Sequence, residues 1–366
     1  MRKLVMIKHT IVLAVMLMSS WTAVSPCTSA IVDRRVARDG YAMLWKHRDT
    51  GNENNFVARV EAKTPGDFDY VALFNAGDSL FSEAWAGMNR AGFAIMNTAS
   101  YNLVPDTASY RDREGVVMTA ALRSCSTLSD FEALLESLPK PLGVQANFGV
   151  LDASGEGACY ETHDGGYVKY ALSDTPGGVL YRTNYSYSGD SVSGFGYIRE
   201  CNARHLLEPY RVMGTIAPET FTEVLSRSFY HSLLDCDMED SRREWIVDQD
   251  FIPRNSSSAS VVIEQRGDGC AVMWTVIGYP PCSYVLPVTV DSVPSELQPD
   301  AVTGRSPLCD EVVRRKNEVF PIKRGSGNRY INLPRLRHYN DSCRAVSMAR
   351  YENFRRLISA ELQSVL

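Results

Sequence analysis

Short segments with strand character, each closed by a tight-turn signal, recur through the 366 residues and constrain the fold more than any other feature. Residues 28 to 36 (TSAIVDRRV) and 41 to 48 (YAMLWKHR) form the first pair, separated by Ala37 to Gly40, where Asp39 and Gly40 suit a reversal. NFGVLDA, the turn SGEG, ACYETHD, the turn at Gly165 and Gly166, YVKYAL and VLYRTN follow. SASVVIEQ, the turn Arg266 to Gly269, CAVMWTVIG and SYVLPVTV repeat the pattern. Blocks of helix lie between and after these hairpins. Ser129 with Glu132 has capping-box spacing ahead of FEALLESL, Pro218 sits where a first helical turn begins before FTEVLSRSFYHSLL, and residues 342 to 364 carry apolar residues at helical spacing. Hairpin runs interrupted by helical blocks predict a layered α+β domain with antiparallel sheets.

The first 26 residues stand apart. Arg2, Lys3 and Lys8 precede an apolar run from Thr10 to Met18, and small or polar residues follow up to Pro26, which is the layout of a secretory signal. The mature protein is therefore expected to be exported, periplasmic or extracellular, as one domain from 27 to 366. Within it, residues 290 to 366 supply a connection, with prolines at 294, 299 and 307, and a C-terminal helical part. The apolar run falls short of the roughly 20 residues that a stable membrane span needs, and no later stretch approaches that length. A net charge of −5 and no basic run longer than Arg314 to Lys316 leave no electrostatic footprint for nucleic acid.

Nine cysteines make one odd thiol if the other eight pair in an oxidising compartment, and Cys27, just past the signal, is the candidate. No CxxC pair and no HExxH motif supports a zinc site. If the chain folds back near residue 38 or 39, Cys27 at the open end of the first hairpin comes opposite His47, Arg48, Asp49 and Thr50. A thiol that attacks an amide carbonyl needs a base, donors for the oxyanion and groups that orient the base. None of the six histidines has a neighbourhood that singles it out as that base. A nucleophile at residue one can use its own α-amine, whose unperturbed pKa of about 7.7 to 8.0 suits the task.

The string CTSAIVDRRVARDGYAMLWKHRDT resembles the start of the N-terminal-nucleophile cysteine hydrolases: penicillin V acylases, choloylglycine hydrolases, isopenicillin N acyltransferase-like proteins and related dipeptidases. GMNRAGFAIMNTASY (87 to 101) and RTNYS (182 to 186) continue the resemblance. It implies a four-layer αββα sandwich and a Cys27 nucleophile. It also implies that Asn97 is an oxyanion donor, Asn184 a second active-site amide, and Asp49 the carboxylate that orients the amine. Arg199 in GFGYIRECNAR resembles the later active-site arginine, with Arg204 its competitor. In the acylases and bile-salt enzymes an arginine sits three residues before the aspartate; here Lys46 holds that place and Arg48 is adjacent, so both are substrate-binding candidates. Lysine keeps the charge but loses the planar fork.

The activity implied is hydrolysis of a linear amide through an acyl-enzyme on Cys27, with no cofactor or metal. The expected partner is a small N-acyl amide or a short peptide, and homo-oligomer formation stays open. Acyl transfer, dipeptidase activity and a catalytically dead binding protein are the alternatives, and the last has no need of a free N-terminal thiol. Cleavage before Cys27 leaves Pro26 at −1, so the implied mechanism requires an unusual cut or self-cleavage there.

Overall fold

A computed structural model of the chain describes residues 27–103, 113–239, 242–267, 270–324 and 328–365. The signal-like segment 1–26 and the last two residues of the turn Arg266 to Gly269 lie outside the described residues. In chain order the strands are β1 Thr28–Val32, β2 Met43–Asp49, β3 Asn55–Val60, β4 Tyr70–Asn75, β5 Ala86–Asn89, β6 Ala94–Ala99, β7 Ala146–Leu151, β8 Gly157–His163, β9 Gly166–Ala171 and β10 Val179–Arg182. They continue with β11 Tyr230–His231, β12 Cys236–Asp237, β13 Trp245–Val247, β14 Ser257–Gln265, β15 Ala271–Ile277, β16 Leu286–Val288, β17 Ile322–Arg324 and β18 Asn328–Asn332. The α-helices are α1 Glu114–Ser124, α2 Leu128–Ser137, α3 Tyr197–Met213, α4 Pro307–Val319 and α5 Leu333–Val365.

Seven strands, β3 to β9, form one sheet in simple chain order, and six form the other in the order β10-β1-β2-β14-β15-β16; every pairing is antiparallel. The period of two along each strand divides its side chains between two faces. Ile31, Leu44, Val261, Ile263 and Met273 of the six-stranded sheet pack against Val57, Val71, Leu73, Met88 and Met96 of the seven-stranded one. On the outer side of the seven-stranded sheet, Phe74, Ile95, Phe148 and Tyr160 cover Met118, Leu122 and Phe131 of α1 and α2. On the outer side of the other, Ala30, Trp45, Val262 and Trp274 pack on Ala203 and Leu207 of α3, Phe221 and Tyr351 of α5. The layers are therefore helix, sheet, sheet, helix, as expected. Each sheet is covered on both faces, which explains why all nine residues of β14 are buried. Among the described residues no helix is long and apolar enough to cross a membrane.

Three local expectations are corrected. The capping box of α2 is made by Thr127 and Asp130, not Ser129 and Glu132: the Thr127 hydroxyl accepts from Asp130 N at 3.1 Å, and the Asp130 carboxylate accepts from Thr127 N at 2.9 Å. Glu132 faces β8 and β9, where it pairs with Lys169 at 2.6 Å and accepts from the Tyr160 hydroxyl at 2.8 Å. Thr127→Ala is expected to cost about 1 kcal/mol, checked by the urea midpoint.

Residues 28 to 36 are not all strand. The ladder stops at Val32, and Asp33 caps a 3₁₀ turn over Arg34–Val36 by accepting from Arg35 N at 2.8 Å, a local bond that competes with the ladder. The helix opened by Pro218 ends at Arg227, because Ser228 turns extended and Phe229 drops into the inter-sheet core; the remainder of FTEVLSRSFYHSLL becomes β11 and its turn.

Candidate active site

β1 and β2 pair with Thr28 opposite His47 and Val32 opposite Met43, which sets Cys27 beside Arg48, as the fold-back argument requires. Alternation then decides which side chains meet. Ile31 and Leu44 face the other sheet, so Ser29, Lys46, Cys27 and Arg48 share that inter-sheet side. Ala30 and Trp45 face the helices, so Thr28, His47 and Asp49 lie on the helix side.

Cys27 is 5% exposed. Its nitrogen donates to Asn184 Oδ1 at 2.7 Å, and its thiol lies 3.7 Å from the main-chain oxygen of Asp49. Asn184 follows β10 and is fixed by a main-chain bridge to Phe195 and by its Nδ2, which donates to Ala99 O at 2.8 Å. Its Oδ1 also accepts from Arg199 Nη2 at 2.8 Å. Arg199 enters from the first turn of α3, donates to the Cys27 carbonyl, and reaches Thr28 Oγ1 at 2.9 Å. Burial lowers this guanidinium to about 9. Arg204 turns outward to Glu200 and the Tyr181 ring, so the arginine of GFGYIRECNAR that meets Cys27 is Arg199.

On the inter-sheet side, Lys46 Nζ donates to Asn97 Oδ1 at 2.6 Å and to the Trp85 carbonyl at 2.7 Å. Asn97, on β6 of the opposite sheet, thereby presents an Nδ2 that makes no hydrogen bond among the described residues. Arg48 lies 4.8 Å from the Trp85 ring centre, in cation–π contact, and donates to Asn55 Oδ1 and, at 2.8 Å, to Asn75 Oδ1. Neither Lys46 nor Arg48 has a carboxylate partner among the described residues. Desolvation pulls Lys46 down to about 7 and Arg48 to about 10, and in both cases the nearby Cys27 sulfur opposes the fall.

Asp49 accepts from Ser257 Oγ at 2.6 Å and lies 3.4 Å from Arg254 Nε. In the continuous chain, the contact to the Cys27 nitrogen that the sequence assigns to Asp49 is made by Asn184. Desolvation raises Asp49 to about 6, only partly offset by Arg254, Arg199 and the Ser257 hydroxyl. The folded chain thus holds a proton on Asp49 that the unfolded chain has released, and ionisation of this group costs stability as pH rises from 3.8 to about 6. The unfolding free energy of wild type minus that of Asp49→Asn is expected to fall across that interval and level off above it. Denaturant titrations at a series of pH values check this, and a flat difference would mean that Asp49 is not held in a desolvated site.

His47 is lowered to about 3 by burial and by the Arg254 and Arg199 charges. Its ring nitrogens face Ser226 Oγ at 3.2 Å and Ser257 Oγ at 2.8 Å, on the side away from the thiol. The residues that sequence reasoning missed are Trp85, Asn55, Asn75, Arg254 and Ser257. All reach the site from outside the first hairpin, and no motif marks them. None of the nine cysteines is in a disulfide, so Cys27 is one thiol among several.

No family model and no curated protein matches the chain. Among solved structures, it is similar to a Caenorhabditis elegans N-acylethanolamine-hydrolyzing acid amidase ortholog, at 14% identity over 65% of this chain and 92% of that one, with a TM-score of 0.43. A conjugated bile acid hydrolase variant from Clostridium perfringens gives 10% identity over 73% and 95%, with a TM-score of 0.42. Penicillin V acylase from Agrobacterium tumefaciens gives 14% over 73% and 87%, with a TM-score of 0.39. With its two antiparallel sheets enclosed between helices, the chain has a four-layer αββα fold.

Proposed function

We propose that this protein is an exported cysteine amidohydrolase that cleaves the linear amide of an N-acyl amino compound through an acyl-enzyme on Cys27. The observation that carries the reading is the placement of a buried thiol at the head of β1. It has an amide with unspent N–H groups, Asn97, on the facing sheet, and an Asn184–Arg199 clamp on its own main chain.

In this reading Cys27 becomes residue one of the mature chain, its thiol attacks the amide carbon, and Asn97 Nδ2 donates to the oxyanion. Asn184 and Arg199 hold the Cys27 main chain, and Asp49 with Arg254 supports the site from the helix side. Arg48, a buried guanidinium with only neutral acceptors, suits an anionic group on the substrate.

The test is turnover of a panel of N-acyl amino acids, acyl amides and short peptides, followed by intact-mass analysis. Expected are a mature chain beginning at Cys27 without lipid and an added acyl mass on the Cys27 peptide during turnover. A working enzyme whose mature chain begins ahead of Cys27 would remove the free α-amine from the mechanism, and activity with no acyl adduct at Cys27 would remove the nucleophile.

A further inference from the structure

The C-terminal helix is fastened at several points to the turn that follows β15. That turn, the 3₁₀ segment Pro280–Cys282, runs against α5. Just past it, Arg227 donates to Ser283 O at 2.8 Å and to Asn340 Oδ1 of α5 at 3.0 Å. Further along, Val285 N donates to Ser347 Oγ at 3.0 Å. Asn340 and Ser347 lie three residues before and four residues after Cys343, so the three share one helix face, and Cys343 occupies the middle of the contact.

At that middle point two cysteines meet one guanidinium. Arg315 of α4 donates from a single atom, Nη1, to Cys282 O at 3.1 Å and to Cys343 Sγ at 3.4 Å. The Cys343 sulfur therefore stands no more than two hydrogen-bond lengths from the Cys282 main chain. Both residues are buried, and both are thiols in this structure. Desolvation pushes the Cys282 thiol upward and the Cys343 sulfur adds to the rise, so Cys282 lies in the field of Cys343. The amide chemistry on Cys27 uses neither. Buried thiols of this kind are inert once the chain has folded, whereas during folding in an oxidising compartment they are open to pairing.

We infer that Cys282 and Cys343 are a disulfide site: a chain that folds in contact with a small-molecule disulfide closes them into one bond, which staples α5 to the turn after β15 and leaves Cys27 a thiol. The thiolate of one cysteine attacks a sulfur of the oxidant and displaces one small-molecule thiolate. The thiolate of the other attacks the protein sulfur of the resulting mixed disulfide and displaces the second. Two protein S–H bonds are lost and one S–S bond is gained, and the two electrons and two protons leave on two small-molecule thiols. The bond closes a loop that contains α4, β17 and β18, which limits the freedom of the unfolded chain. Arg315 keeps the Cys282 carbonyl and Glu311 as acceptors, so closure strands no buried charge.

The inference takes only its oxidant from the proposed export, and the test separates the two. The full chain is unfolded, refolded either with oxidised and reduced glutathione or with reductant alone, then alkylated in denaturant and digested. The glutathione arm is expected to give a peptide pair joined through Cys282 and Cys343, lighter by about 2 Da than the two thiol peptides together, and an alkylated Cys27. Its thermal midpoint should lie roughly 5 °C above that of the reduced arm, a gap that Cys282→Ala and Cys343→Ala each abolish. Should either variant fail to fold, the two wild-type arms still decide. Alkylation of both cysteines in the glutathione arm, a glutathione left on either one, or a join from either one to a third cysteine overturns the inference. If refolding links the pair but protein taken directly from cells carries it as thiols, the site stands and export falls.

Discussion

Cys27→Ala is expected to abolish turnover, by as much as roughly 10⁶ in kcat when a nucleophile is removed, while the protein stays folded. The two halves of that expectation have separate causes. The thiol is buried, but its one hydrogen bond among the described residues is a weak 3.7 Å approach to Asp49 O, and the bonds that anchor the residue belong to its main chain. Removing one sulfur atom leaves a gap of a single atom and costs on the order of 1 kcal/mol. Rate and thermal midpoint measured on one preparation decide the matter. A Cys27→Ala protein retaining a tenth of the wild-type rate on any substrate of the panel would mean that the chemistry happens elsewhere.

Asn184→Ala is expected to lose stability as well as rate, by roughly 3 to 5 kcal/mol, because it strips an acceptor from a buried charge. Asn184 Oδ1 receives Cys27 N at 2.7 Å and Arg199 Nη2 at 2.8 Å, and Nδ2 donates to Ala99 O at 2.8 Å, so one side chain ties β1, α3 and the end of β6 together. Arg199 is 1% exposed and its Nε already lacks a partner, so loss of the Asn184 oxygen leaves Nη2 as a second buried donor without an acceptor, with only Nη1 still bonded to Cys27 O and Thr28 Oγ1. Asn97→Ala is the control. Its Nδ2 is unspent and its loss leaves no stranded cation without a second acceptor, since Lys46 keeps the Trp85 carbonyl. A fall in kcat of roughly 10² to 10³ with nearly unchanged stability is expected there. Equal denaturant midpoints for Asn184→Ala and Asn97→Ala would refute the assignment of Asn184 as the structural tie.

The two asparagines look alike in sequence, each at the end of a strand-like run. Their different expected behaviour comes from partners at long range: Asn97 meets a residue 51 positions earlier, and Asn184 meets one 157 positions earlier. The same reason hid Trp85, Asn55 and Asn75. Trp85 comes just before the GMN string and supplies both a carbonyl to Lys46 and a ring to Arg48, but nothing in its neighbours along the chain indicates either contact.

Local physics determined much of this protein before any tertiary contact was considered. Turn chemistry at Ala37 to Gly40 sets where the first hairpin folds back, and the hairpin register alone brings Cys27 to Arg48. Strand and helix periodicities likewise prescribe two faces for each sheet and helices to cover them. Capping was legible only as a spacing, because Thr127-Asp130 and Ser129-Glu132 satisfy the same rule; Ser126 N and Oγ add their bonds to Asp130, while Lys169 and Tyr160 hold Glu132 away. What tertiary structure alone decided is the electrostatic character of the site. A lysine, a histidine, an arginine and an aspartate follow one another on one strand, and all four are buried, with Lys46 and Arg48 on one face and His47 and Asp49 on the other. Desolvation by the second sheet and by the helices, a property of neighbours far away in the chain, is what lowers Lys46, raises Asp49 and keeps His47 neutral.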